Sequence, residues 1–427
     1  MTRKYEKGEF FSDELQEQIK SKFFYLDNDP RHKGRRLFFD NGGGALRLKS
    51  TVEAFKRMDS FPDCSERGDI SASYLDEICR KGMEDIRIIF NAKSGSILTE
   101  ISASQVIFKM TGAVIENVPG TNVVVTAGDH PSAYDAAVYY AKKTGKELRV
   151  AKTNPATGGS DVEDIVKLID KDTCLLSFIY ASNTSGAILD AKAIVEAARK
   201  VKPDLYVLLD AVQFAPHGVM DVEDLQVDGI NFAPYKFFSN RGLGIGCVSD
   251  RLSTLPHHRL EAVSEDCWAV GSPAPGQFAA VTEIVNYVTW IGSQYIDSDD
   301  RRELFVEGMS RIKLQERALM NRMLNGTSEI AGLRGIPGVT VYLDVEDLTT
   351  KEFLVGMGFD NMTIEESARE LEKVGIVTYP RTDDSRFSKR MLESFGITGL
   401  VRVTPLHCHT REDMDDFLTE VAKIANR

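Results

Sequence analysis

The sequence has no uninterrupted run of about 18 apolar residues, and its opening stretch, MTRKYEKGEFFSDELQEQIK, is charged throughout with no apolar core of the signal-peptide kind. Membrane insertion and export are therefore not expected, and a cytoplasmic chain is. Positive charge is also in short supply: Lys plus Arg number 52 against 64 Asp plus Glu, a net charge of -12. That sign repels phosphate backbones and anionic bilayers, so neither nucleic acid nor a membrane is an expected partner; a local basic pocket stays compatible with it. The six cysteines, at 64, 79, 174, 247, 267 and 408, include no C-x-x-C pair and no metal-ligand spacing. They read as reduced thiols of a cytosolic protein without a metal site. Internal repeats and low-complexity linkers are missing too.

What is present is ordinary globular material. Hydrophobic residues at 42%, charged at 27% and aromatic at 9% suffice for sizeable cores, and 427 residues exceed the usual length of one. Two domains are expected: a large α/β domain over 51–290 and a smaller α+β domain over 291–427, with residues 1–50 packing against both. From about 85 to 250, short β-branched apolar runs alternate with helical periodicity, the mark of βα units and a mostly parallel sheet. Strands are expected at 122–128, 147–152, 174–182, 205–213, 229–238 and 244–250; several are apolar on both faces, as strands between helix layers should be. Helices are expected at 161–169 and 190–200, each opened by an aspartate fit to cap it. A long helical connector is expected over 277–325. Beyond it, strands at 339–343, 377–381 and 400–405 alternate with helices at 363–374 and 411–425.

In open α/β sheets ligands sit at the carboxyl ends of strands, which directs attention to the residues there. Asp210 ends the apolar run YVLLD, so its carboxylate either caps the next segment or answers a cation or strong donor. Lys236 follows FAPY and precedes FFSNRGLGIG, whose glycines let the backbone turn close to a bound group. By itself such a lysine is most simply a solvated charge. A lysine at one apolar strand end and an aspartate at the end of the strand before it are, however, what a pyridoxal phosphate site requires: an amine for the aldehyde and a carboxylate for the pyridine nitrogen.

The segment LLDAVQFAPHGVMDVEDLQVDGINFAPYKFFSNRGLGIG resembles the centre of class V aminotransferases, fold-type I pyridoxal phosphate enzymes that include cysteine desulfurases, selenocysteine lyases, kynureninases and small-molecule transaminases. The resemblance runs from FFDNGGG (38–44) to VRVTPLHCHTREDMDDFL (401–418). It implies an α/β fold with a large, mostly parallel seven-stranded sheet domain and a small α+β domain, pyridoxal 5'-phosphate as cofactor, an amino-acid substrate and a homodimer. It implies Lys236 as the Schiff-base lysine, Asp210 on the pyridine nitrogen, Gln213 on the phenolic oxygen and His130 as the ring stacked on the cofactor. Asn183 would stand near the phenolic oxygen and substrate. The phosphate would sit at the helix start Ser102, Ala103 and Ser104, which suits a dianion, although the family more often has Gly-Thr there. Tyr235 would reach the phosphate, as would Ser272 from the neighbouring subunit. Arg402 would bind the substrate carboxylate, a task suited to a planar bidentate donor, with Arg381 and Asn41 as further substrate contacts.

For the reaction, the resemblance implies an aminotransferase acting on a small amino acid, with Lys236 moving the proton. The alternative is a carbon-sulfur or β-eliminating lyase. The stretch RTDDSRFS (381–388) stands where the similar desulfurases carry their persulfide cysteine, and it contains none. Cys267 and Cys408 are nearby thiols that read as packing residues. Tyr235 and Trp268 are similar to kynureninases, whereas His130 is not; a non-catalytic relative is opposed by the joint presence of Lys236, Asp210, Gln213 and Arg402.

Overall fold

In the computed structural model, which describes residues 7 to 62 and 67 to 427, the apolar runs without polar alternation become the interior of a sheet. In chain order the strands are β1 (Leu37–Phe38), β2 (Ser96–Glu100), β3 (Asn122–Thr126), β4 (Glu147–Ala151), β5 (Thr173–Ile179), β6 (Tyr206–Asp210), β7 (Gly229–Phe232), β8 (Gly244–Val248), β9 (Val339–Tyr342), β10 (Val355–Phe359), β11 (Ile376–Val377), β12 (Tyr379–Thr382) and β13 (Gly399–Val403). Seven form the large sheet in the order β2-β8-β7-β6-β5-β3-β4. Only β8 runs against the others, pairing antiparallel with β7 and β2. Strands β3, β5, β7 and β8 are buried at every position because helices cover both faces. A second sheet, β12-β13-β10-β9, is antiparallel throughout, and β1 pairs with β11 beside it.

The helices follow local signals with two instructive departures. Asp190 accepts the Ala193 N–H at 3.0 Å and opens Ala191–Val201. Asp161 precedes Val162–Val166 without capping it, because its carboxylate instead takes the Asn154 amide at 2.8 Å. The expected connector over 277–325 is two helices, Pro275–Gly292 and Arg301–Asn325. Asp300 starts the second by accepting the N–H groups of Arg302 and Glu303 at 2.7 and 3.0 Å. The two helices cross in close contact: a β-carbon on Gly292 would lie 2.0 Å from the Leu304 carbonyl oxygen, and one on Gly308 2.0 Å from that of Val288. Strand β10, unforeseen in the sequence, reads VGMGF; its glycines hide its β character although all five residues are buried.

Helix Arg301–Asn325 also belongs to two cores. Phe305, Met309 and Ile312 pack with the large sheet, whereas Leu319, Met320, Met323 and Leu324 pack with the small one. The N-terminal segment divides likewise, Leu15 and Ile19 into the first core and Leu37 and Phe39 into the second. Among the described residues no helix is long and apolar enough to cross a membrane.

Candidate active site

Strand order reverses between β5 and β3, and the loops leaving those two strands part at their carboxyl ends. A crevice at such a point is where doubly wound sheets place ligands. Here it holds a cavity of about 180 Å³, lined by Ser102, Ala103, Ser104, His130, Asn183, Asp210, Gln213, Tyr235 and Lys236, among others. A larger cavity, about 390 Å³, lies around Asp228 at the other end of β7. Asp228 is already answered there by Arg199, Arg251, Ser249 and the Val207 N–H, so its chemistry is closed.

Asp210 is the last residue of β6 and is 3% exposed; its Oδ1 accepts the Val212 N–H at 3.1 Å. Burial pushes its pKa up, against the Val212 bond and the Lys236 charge. Lys236 stands in the turn after β7, also buried, and its Nζ donates to Gln213 Oε1 at 3.2 Å. Burial, reinforced by the Arg402 charge and opposed by Asp210, brings the lysine down to about 7. Near neutral pH the amine is thus substantially uncharged, the form in which it acts as nucleophile or base.

One wall of the cavity is the start of helix Ala103–Asn117, capped by Ser102, whose side chain accepts the Gln105 N–H. Strand β8 backs onto it through Gly244, where a β-carbon would lie 2.2 Å from the Ala103 nitrogen. Ser104 Oγ lies 2.7 Å from Ser132 Oγ, which lies 2.9 Å from His130 Nδ1; the Ser132 N–H donates to the same nitrogen at 3.2 Å. Nδ1 is therefore an acceptor, which assigns the ring proton to Nε2. Burial, with the charges of Lys236, Arg381 and Arg390, lowers the imidazole to about 3, so it is neutral.

Two arginines of the small domain stand close enough for their charges to act on Lys236, although neither lines the cavity itself. Arg402 on β13 has its side chain 4% exposed and Nη2 2.5 Å from Asp40 Oδ1. Arg381 on the adjacent β12 donates from Nη1 to Thr184 Oγ1 at 3.1 Å, next to Asn183. Both guanidiniums keep a buried Nε without a partner among the described residues, which leaves donors for an acid. Burial and the Arg402 charge lower Arg381 to about 9. The run Gly42 to Gly44 makes this approach possible: a β-carbon on Gly43 would lie 3.0 Å from Arg402 Nη2, and one on Gly44 3.0 Å from Arg241 Nη2.

Several expected residues stand elsewhere. Asn41 is not free to bind substrate: its Nδ2 donates to the carbonyls of Phe38 and Thr404 at 2.9 and 2.8 Å, and its Oδ1 accepts the Leu46 N–H at 2.9 Å. Ser272 is exposed and does not line the cavity of its own chain. Trp268 is a core residue, stacked on His257 with centroids 4.0 Å apart. Cys174, Cys247 and Cys408 are buried in the cores, Cys79 and Cys267 line no part of the cavity, and Cys64 lies outside the described residues. Tyr235 does line it, with the Arg241 guanidinium 4.1 Å from its ring centre.

Arg241, Ser132, Asp40 and Arg390 went unread in the sequence. Arg241 sits in the glycine-flanked SNRGLG and Ser132 two residues after His130, so proximity to a known motif was the signal available. Asp40 and Arg390 gain meaning only by packing.

The buried amine, the carboxyl at a strand end, the hydroxyl-lined helix start and the unpartnered guanidinium donors fit pyridoxal phosphate and an amino-acid carboxylate. Residues 37 to 417 match the family model "Aminotransferase class-V". A probable cysteine desulfurase of Streptomyces coelicolor is 30% identical over 52% of this chain and 52% of that protein. One of Mycoplasma genitalium is 24% identical over 51% and 53%. The chain thus spans about half the length of these curated relatives. An aminotransferase-like protein of Gibberella zeae is 23% identical over 96% of this chain and 98% of its own length. The crystal structure of a cysteine desulfurase of Escherichia coli matches with a TM-score of 0.78 at 18% identity, covering 98% of this chain and 99% of that one, a likeness of fold. On the family match, which covers most of its length, the chain belongs to the class V aminotransferases, a family of pyridoxal phosphate-dependent enzymes.

Proposed function

We propose that the protein acts on a small α-amino acid whose carboxylate is taken by Arg402 and Arg381 and whose α-proton is taken by Lys236. The observation that carries this reading is Lys236 itself: a buried amine on Gln213, at about 7, within reach of the charges of Asp210, Arg402 and Arg381. Lys236 would hold the cofactor's aldehyde carbon, Asp210 its ring nitrogen, and the helix start at Ser102 to Ser104 its phosphate. Bound there, pyridoxal phosphate supplies an electron sink that weakens one bond at the substrate α-carbon. The neutral His130 ring offers a flat face without adding a charge, and the guanidiniums fix which α-carbon bond faces Lys236. The reading includes a homodimer in which the Ser272 loop serves the neighbouring phosphate site, which rests on the family resemblance of that loop.

For the reaction we infer a lyase that cleaves at the β-carbon, carbon-sulfur bonds included: Lys236 Nζ receives the α-proton and the β-substituent leaves with its bonding pair. The names of the desulfurase relatives support cleavage of a carbon-sulfur bond. A persulfide route has no support, since 381–388 lacks a cysteine and no described cysteine lines the cavity. Aminotransfer, the first expectation from sequence, remains a second reading because the relative aligned over nearly the whole chain is named aminotransferase-like. Purified protein with added pyridoxal phosphate and a panel of amino acids separates the two. Release of pyruvate, sulfide or another β-substituent without any 2-oxo acid is the expected result; strict dependence on a 2-oxo acid overturns the lyase.

A further inference from the structure

From Arg381 on β12 the chain runs through 383–388 into the short helix Lys389–Ser394, and this stretch is fastened to the large domain at three loops. Arg381 bonds Thr184, beside Asn183. Thr153 Oγ1 donates to the Ser394 carbonyl at 2.6 Å. Arg390 makes the third attachment: Nη1 donates to the Ala127 carbonyl, Nη2 to the Asp129 carbonyl at 2.5 Å, and the guanidinium lies 3.9 Å from the centre of the Tyr134 ring.

Those two carbonyls belong to the loop that ends at His130. The sheet holds the same loop from beneath, through Asp129, which accepts the Thr126 N–H at 3.0 Å, the Thr126 hydroxyl at 2.5 Å and the Ile179 N–H at 2.9 Å. Arg390 uses the full shape of its side chain, two fork donors on two carbonyls and a flat face on a ring, which a lysine cannot reproduce. Its helix descends from β12, and β12 pairs with β13, so the same rigid strand pair carries Arg381 and Arg402.

We propose that Arg390 is a positioning residue for His130: by clamping the Ala127 and Asp129 carbonyls from the small domain it holds the imidazole over the cavity in one orientation, and it ties that orientation to the strands that bind the substrate carboxylate. The proposal rests on the reading above that His130 faces the cofactor. It assigns the stretch 383–394 the work of an interdomain clamp rather than of a sulfur-accepting loop.

The test reads the ring directly. Nitrogen-15 NMR of histidine-labelled full-length protein resolves the tautomer of each of the seven histidines. The wild-type His130 should be protonated on Nε2 alone from pH 5 to pH 9. The charges that face it are Lys236 after β7, Arg381 on β12 and Arg390 itself. In Arg390→Met the ring should populate both tautomers and titrate at a pH higher by about one unit. Arg390→Lys keeps the charge and should restore the titration but not the single tautomer, and added guanidinium should restore the tautomer in Arg390→Gly. A single Nε2 tautomer retained in Arg390→Met, or regained in full by Arg390→Lys, overturns the positioning role. Should the methionine variant fail to fold, the lysine variant decides alone. The spectra are recorded with and without pyridoxal phosphate: a wild-type chain that takes up no cofactor overturns the functional reading, while the ring of the unloaded protein still decides on Arg390.

Discussion

Arg402 Nη2 and Asp40 Oδ1 lie 2.5 Å apart although 362 residues separate them in the chain. The pair joins β13 of the small domain to the loop after β1, and it is nearly closed to solvent on the arginine side. A buried guanidinium without a partner would be expensive, and Asp40 relieves that cost while Nε keeps no partner among the described residues. Arg402→Lys loses the planar fork and should lower kcat/KM about 100-fold, equivalent to ~2–3 kcal/mol for a charge-assisted bond. Asp40→Asn should cost about tenfold, mainly through KM, because the fork survives but loses its anchor. Steady-state kinetics on whichever amino acid turns over checks both, and equal losses in the two variants would contradict the division of labour.

Lys236 bears on stability with a definite sign. Its folded pKa, about 7, lies below the ordinary lysine value, so between about 7 and 10.5 the unfolded chain binds more protons than the folded one. The cost of burying the amine is then complete at and below neutral pH and fades as pH rises toward the unfolded value. Lys236→Met should therefore raise the melting temperature of the cofactor-free protein, more at pH 6 than at pH 10, while abolishing the visible band that pyridoxal phosphate gives on binding. A variant less stable than wild type at pH 6 would contradict an uncompensated burial of the amine.

His217 and Glu316 form a buried pair, Nδ1 to Oε2 2.7 Å. Burial opposes charge on both, yet His217 and His407 hold Glu316 at about 2, and Glu316 with Glu352 holds His217 above its ordinary value. The carboxylate's contribution is present above about 4.5 and is lost as pH falls toward 2; the imidazolium's is present below about 6.5 and is lost as pH rises through the folded value. Glu316→Gln leaves His217 without its counter-charge and should cost about 3–5 kcal/mol in denaturant unfolding. The difference from wild type should be greatest near pH 5 to 6, where both groups are charged in the wild-type fold.

Cys79 and Cys267 are only partly buried, yet neither lines the cavity. If sulfur is released without a persulfide relay, Cys79→Ser and Cys267→Ser should each keep turnover within about twofold, as surface substitutions away from a site usually do. A hundredfold loss in either would bring a thiol back into the reaction.

The legible part of the protein was local. Strands β3, β5, β6, β7 and β8 are continuous apolar runs, and burial on both faces demands such runs whatever they pack against. Lys236, Asp210 and Gln213 could be read because they stand at the ends of those runs, where chain position alone sends a side chain to one edge of the sheet. Strand β10 escaped notice since two of its five residues are glycine, and the break in the long connector escaped because helical periodicity continues on both sides of Asp300.

By itself, then, the sequence determined the alternation of elements, the polar residues at the strand ends and the family, all of which depend on residues close together in the chain. Tertiary structure alone decided which charges meet. Arg402 with Asp40, Arg390 with the carbonyls before His130, and Ser104 with Ser132 are contacts between segments whose spacing carries no periodic signal. It also tied the Asn41 amide to three backbone groups, a commitment that shows only when those partners are in place. Pairing energies of this kind fall off within a few ångströms, and distances on that scale are set by the fold and not by separation along the chain.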